Sequence, residues 1–251
     1  MLVGAVVLPA APVVVPQVAQ AAAAELEPCR LAAADALTHA LAPPVDRVVV
    51  VGAGTTTRRF GTSARGSLRG IGVDLTLGWG DGEPAPHTLP RSVVVAAWAL
   101  AEAGWQGVTS AVEVAVDEDP QVCLGLGAGL ADEPGRVALV IAADGTARRS
   151  TAAPGYTDER AHPFDDVWTR ALAQADARVL AGLDPQLAAD LMMEGRAPLQ
   201  VMAGAVLAAD GDGWLGQSWW SADPYGVAYA VASWRRPVAH DATAASAAGD
   251  D

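Results

Sequence analysis

The chain predicts a three-layer α/β/α domain built on a mostly parallel sheet. Three observations lead there. Short apolar runs of strand length alternate with Ala- and Leu-rich stretches of helical length, half of the 251 residues are hydrophobic, and Gly and Pro punctuate the junctions. Runs apolar on both faces suit strands covered by helices on either side. In chain order the predicted strands are Leu2–Leu8, Arg47–Val51, Gly72–Leu77, Ala111–Val116 and Val137–Ala142. Two late aromatic runs, Trp214–Trp220 and Val227–Trp234, read as a closing antiparallel pair, with Ser221-Ala222-Asp223-Pro224 as turn chemistry. Helices are predicted over Val18–Leu41 (with a break at Pro28), Ser92–Ala103, Pro120–Leu130, Pro163–Ala175, Pro185–Glu194 and Pro198–Ala208. Several place Pro in the first turn after Asp or Ser, which is sound start chemistry. Residues 1–236 are expected to form one domain, and Ala-, Ser- and Asp-rich residues 237–251 a loose tail without periodicity.

Composition narrows the function. The net charge is −13, and every cation is Arg, for the sequence contains no Lys. Such a field repels phosphate backbones, so nucleic acid is not an expected partner. The missing Lys also excludes a Walker-type phosphate loop. Cys29 and Cys123 are the only cysteines and lie far apart, which suits two buried small hydrophobes in a reducing cytoplasm rather than a disulfide or thiolate metal site. Met1–Val15 lacks the basic start of a secretory signal and carries Pro9 and Pro12. No segment reaches the ~20 apolar residues of a membrane span, so a cytoplasmic protein is expected.

The strand-to-loop segments Val3–Pro12, Val48–Thr57 and Val137–Arg149 carry a family resemblance. The most specific stretch is Ala142-Ala143-Asp144-Gly145-Thr146-Ala147-Arg148-Arg149, followed by Ala153-Pro154-Gly155-Tyr156 and His162-Pro163-Phe164-Asp165. In order and spacing these segments resemble the class III extradiol ring-cleavage dioxygenases, the LigB-like superfamily, and in particular an actinobacterial group of uncharacterised LigB-like proteins. The resemblance spans Met1 to about Arg236. It implies a pocket in which active members hold Fe(II) on two His and one carboxylate, with a further His as acid/base. Under that alignment Ala10 takes the first metal His, Ala53 or Gly54 the second, Thr146 a Ser position and Ala147 the acid/base His. Ala and Gly offer no lone pair, whereas Fe(II) needs imidazole nitrogen and carboxylate oxygen. The expectation is therefore a catalytically degenerate relative with no cofactor, its pocket bordered by Ala10, Ala53, Asp144, Thr146, Ala147, Tyr156 and His162. The alternative is an active Fe(II) enzyme cleaving a catechol-type ring with ligands rearranged onto His87 and His162. Because enzymes of this class can pair unlike subunits, the resemblance also implies a homo-oligomer or a partner subunit.

Arginine supplies the second signal. Arg58, Arg59, Arg65 and Arg69 lie in the acid-free loop Thr55–Gly70, and Arg148 and Arg149 follow a predicted buried strand. The edge beyond strand carboxyl ends is where α/β proteins bind ligands, and Arg grips carboxylate or phosphate bidentately. Arg58, Arg59, Arg148 and Arg149 are the candidate anion-binding set, for a small anionic or aromatic ligand. The opposing expectation is surface pairing with Asp144, Asp158, Glu159, Asp165 or Asp166. Gly125-Leu126-Gly127-Ala128-Gly129 sits within a predicted helix and Gly52-Ala53-Gly54 lacks the third glycine, so neither is a dinucleotide fingerprint. Ser150 and Ser218 lack a nucleophile elbow. Trp219, Trp220 and Trp234 are candidates for a pocket wall or an interface, against plain core packing.

Overall fold

In the computed structural model, residues 1–42, 44–79 and 88–236 are described. The elements run β1 (Leu2–Leu8), α1 (Pro16–Ala19), a 3-10 stretch (Gln20–Leu26), α2 (Glu27–Leu41), β2 (Arg47–Gly54), β3 (Arg58–Phe60), β4 (Arg65–Ser67), β5 (Thr76–Gly78), α3 (Arg91–Glu102), β6 (Val108–Ala115) and α4 (Pro120–Ala131). They continue with β7 (Val137–Ala142), α5 (Ala161–Gln174), α6 (Ala177–Ala181), α7 (Pro185–Asp190), α8 (Arg196–Ala208), β8 (Leu215–Ala222) and β9 (Tyr229–Arg235).

Seven strands form one sheet in the order β3-β6-β2-β7-β1-β9-β8. The middle is parallel: β2 pairs with β6 and β7, and β7 pairs with β1. Antiparallel strands close it, β3 on one side and the β9–β8 pair on the other. The buried runs LVGAVVL in β1 and VALVIA in β7 face helices on both sides. One apolar layer joins the sheet to the α4–α8 side through residues such as Val51, Ile141, Trp168 and Met202. The other joins it to α2 and α3 through Val50, Val140, Leu37 and Val94. This is the three-layer α/β/α arrangement that the apolar periodicity predicts.

Several expectations need correction. The strand predicted at Gly72–Leu77 is Thr76–Gly78, and it pairs only with β4 in a separate two-stranded ribbon. The helix predicted over Val18–Leu41 breaks at Gln20, whose φ of 51° leaves the helical region, and continues as 3-10 turns before α2. Pro28 lies in the first turn of α2, where its missing N–H costs nothing, so it opens a helix instead of breaking one. The helices predicted from Pro163 and Pro198 each start two residues earlier, and the one predicted to Glu194 ends at Asp190. Residues 80–87, with the candidate ligand His87, and the predicted tail 237–251 lie outside the described residues. Both cysteines are buried free thiols, and burial pushes Cys29 up to about 12 and Cys123 up to about 11. Trp168 and Trp234 are fully buried, and Trp234 donates to the Leu172 carbonyl at 2.6 Å. Among the described residues no helix is long and apolar enough to cross a membrane.

Candidate functional site

Parallel strands present their carboxyl ends together, and the loops leaving β1 and β7 and the last residues of β2 meet there around a cavity of about 750 Å3. Its walls include Ala10, Ala11 and Pro12 after β1, Ala53 and Gly54 of β2, Asp144 after β7, and Pro90, Arg91 and Ser92 at the start of α3. Arg58, Glu113 and Glu194 complete its charged lining. Thus Ala10, Ala53 and Asp144, each on a different strand end, face one space.

The metal of the resembling family does not fit these residues. Ala10 and Ala53 present methyl groups at the two places the alignment assigns to imidazoles. Position 54 admits no side chain, because a Cβ there would strike the carboxylate of Glu113. Among the described residues no group of three or more His, Cys, Asp or Glu is arranged to hold a metal ion.

Two carboxylates stand in the cavity in different states. Glu113, the one acid in the apolar strand β6, is nearly buried. Its Oε1 accepts the N–H groups of Thr55 (2.9 Å) and Thr56 (3.3 Å), and its Oε2 meets Arg58 Nε at 2.9 Å. Arg58 also donates through Nε to Thr56 Oγ1 at 2.8 Å. Asp144 has no such cation. Its Oδ1 accepts the Ala10 N–H at 2.8 Å, and its own carbonyl accepts from Gly195. Burial, reinforced by the negative charge of Glu194 and opposed by the N–H groups of Ala10 and Ala11, pushes Asp144 up to about 7.

Arg91 is the cation that sequence reading overlooked. It is exposed at the cavity mouth in the first turn of α3, which has no side-chain cap. Ser92 is turned away, donating its hydroxyl to the Ala53 carbonyl at 2.6 Å. Among the described residues Arg91 has no ion-pair partner. A cation at a helix N-terminus sits against the helix dipole. That mismatch was visible in Leu89-Pro90-Arg91-Ser92 ahead of an apolar helix. The lone acid in Ala111-Val112-Glu113-Val114-Ala115 was a second visible signal.

The remaining predicted residues lie elsewhere. After Asp144 the chain turns away from the cavity: Gly145 N–H donates to Ala228 at 2.7 Å, and Ala228 N–H returns to Thr146 at 2.9 Å. Gly145 has room for no side chain against Asp165, Trp168 and Ala228. Thr146 is therefore buried, giving its N–H (3.0 Å) and hydroxyl (2.6 Å) to Asp165. Ala147 bonds through its N–H to Leu191. Tyr156 is 90% exposed on the surface. His162 is engaged at both ring nitrogens by Arg149: Nδ1 accepts from Nη2 at 2.8 Å, and Nε2–H donates to the backbone carbonyl at 3.2 Å. His87 lies outside the described residues.

Of the four candidate arginines, only Arg58 lines the cavity, and Glu113 holds it. Arg59 pairs with Glu133, and Arg149 with Asp165 (3.4 Å) and Asp223 (3.0 Å). Arg148 is half-buried in the loop leading away, and its Nε has no hydrogen-bond partner among the described residues. Arg69 pairs with Asp74. Arg58 and Arg59 meet Glu113 and Glu133 from distant segments that the sheet brings alongside, and the Arg149 pairing with Asp165 is one of the surface pairings the sequence offered.

No protein-family model matches the chain, and no curated protein matches it. A solved structure does. The crystal structure of an uncharacterized protein from Escherichia coli K12 is similar over 93% of this chain and 99% of that one, with a TM-score of 0.58 and 14% sequence identity. This likeness establishes the fold. At that identity it carries no activity across.

Proposed function

We propose that the protein is a catalytically degenerate LigB-like domain whose cavity at the sheet's carboxyl edge binds a small organic anion without a metal. One observation carries the reading. The strand ends assigned to metal ligands by the resemblance converge on a single cavity, and the side chains there are methyl groups, not imidazoles. What remains at the mouth is Arg91 beside the uncapped N-terminus of α3. An anion seated there is attracted by the guanidinium and by the helix dipole, and it relieves the repulsion between them. Ala10, Ala11, Pro12, Leu89 and Val116 supply an apolar body for the ligand's carbon skeleton.

Thermal melting with a panel of succinate, acetate and sulfate tests this. The protein is expected to rise in Tm with at least one of them, and Arg91→Ala to lose the rise while melting normally without ligand. No rise with any anion would remove the proposal. The alternative of an active Fe(II) dioxygenase on His87 and His162 draws no support from His162, which lies off the cavity with both nitrogens used.

A further inference from the structure

We propose that Asp144 enters the ligand complex as a neutral carboxylic acid, donating its proton in a hydrogen bond to a carboxylate oxygen of a small organic acid, so that binding takes up one proton. This rests on the anion reading of the cavity and adds to it the ligand class and a binding partner inside the site.

Geometry leads to it. Asp144 lines the cavity and is pinned from behind by the Ala10 N–H, with Gly195 held on its carbonyl. The groups facing it from every packed element are anionic or neutral. Glu194 lies at the turn into α8, Tyr229 on β9, and Cys29 on α2. Across the cavity Glu113 already holds Arg58 at 2.9 Å, and Arg91, without an ion-pair partner among the described residues, stands at the exposed mouth. No described cation therefore pairs with Asp144, and an ionised Asp144 beside Glu194 would repel any anion brought against it. Protonated, the same carboxyl is a donor, and an acid–carboxylate hydrogen bond is short and strong. A carboxyl that titrates about 7 needs little energy to hold its proton at neutral pH, which makes this state accessible where an ordinary Asp would not be.

The chemistry balances simply. One proton moves from solvent to Asp144, no covalent bond changes, and the ligand remains an anion. The contribution of Asp144 should then level off below about pH 6, and affinity should fall about tenfold per pH unit above about pH 8, because ligand binding competes with ionisation of Asp144.

The test is isothermal titration of succinate into the full chain between roughly pH 6.5 and 8.5, in buffers of different ionisation enthalpy. Proton uptake should approach one per succinate at the alkaline end. Asp144→Asn, which keeps the shape and a donor but cannot ionise, should lose the pH slope and take up no proton. Binding of succinate by the parent with no proton uptake overturns the proposal and leaves the anion reading standing. An unchanged slope in Asp144→Asn overturns it equally, since the proton would then reside elsewhere. Absence of binding by succinate, acetate and sulfate alike overturns both.

Discussion

Two aspartates, Asp165 bonded to Thr146 and Asp144 bonded to Ala10, divide the molecule into a finished region and an open one. Asp165 on α5 is fully buried and accepts from Thr146 N–H, Thr146 Oγ1 and Trp168 Nε1 (2.7 Å), with Arg149 Nη1 at 3.4 Å. Asp144, only two residues before Thr146, receives backbone N–H groups and no cation, and looks into a cavity. The difference teaches how to separate structure from function here. Where a buried charge has donors on every side, the network positions a loop. Where it is left short of them, the proposed missing partner is a ligand.

The contrast predicts a graded series of effects. Asp165→Ala strands three buried donors and Arg149, and is expected to destabilise the fold by about 3–5 kcal/mol in urea unfolding. A loss below 1 kcal/mol in scale, as for an ordinary surface change, would mean the region is not closed as described. Next comes the α4–α8 crossing, where Gly127 and Gly204 bring backbones into direct contact and a Cβ would strike Val201 and Leu124 carbonyls. Gly204→Ala should cost about 1–3 kcal/mol with cavity binding unchanged.

Asp144→Asn should have the opposite sign. Its folded-state value is raised from 3.8 to about 7, so the native state holds a proton that the unfolded chain has released, and stability falls as pH rises through that window. The variant should therefore gain up to about 4 kcal/mol at pH 8 and nothing near pH 4. Equal effects at both pH values would contradict the assigned state of Asp144. The smallest effect belongs to Arg91→Ala, expected to stabilise α3 by about 0.3–1 kcal/mol by removing a cation from a helix N-terminus. It should do so while abolishing the anion-induced rise in Tm, and a drop in unliganded stability would show that Arg91 braces the fold.

Much of the frame was legible in the chain. The runs at Leu2–Leu8 and Val137–Ala142 are strands to the residue, because apolar side chains on both faces leave few other solutions. β3 was not legible. Arg58-Arg59-Phe60 carries two charges in three residues, and it pairs as an edge strand with Glu113 and Glu133 receiving the arginines. The break at Gln20 was hidden by an alanine run of high helix propensity, which local turns overrode. Of the pocket residues named through the family resemblance, Ala10, Ala53 and Asp144 line the cavity, whereas Thr146, Ala147, Tyr156 and His162 do not. A turn of one residue at Gly145 redirects everything after it, and the pairing of Gly145 and Thr146 with Ala228 that fixes the turn spans a long sequence separation.

The most direct measurement is an anaerobic Fe(II) titration of the purified chain followed by calorimetry. The account predicts no saturable iron site, in the parent and in His162→Ala alike, because the cavity presents Ala10 and Ala53 where imidazoles would be needed. Binding of about one Fe(II) per chain, abolished by Asp144→Ala or His162→Ala, would contradict it and return the cavity to metal chemistry.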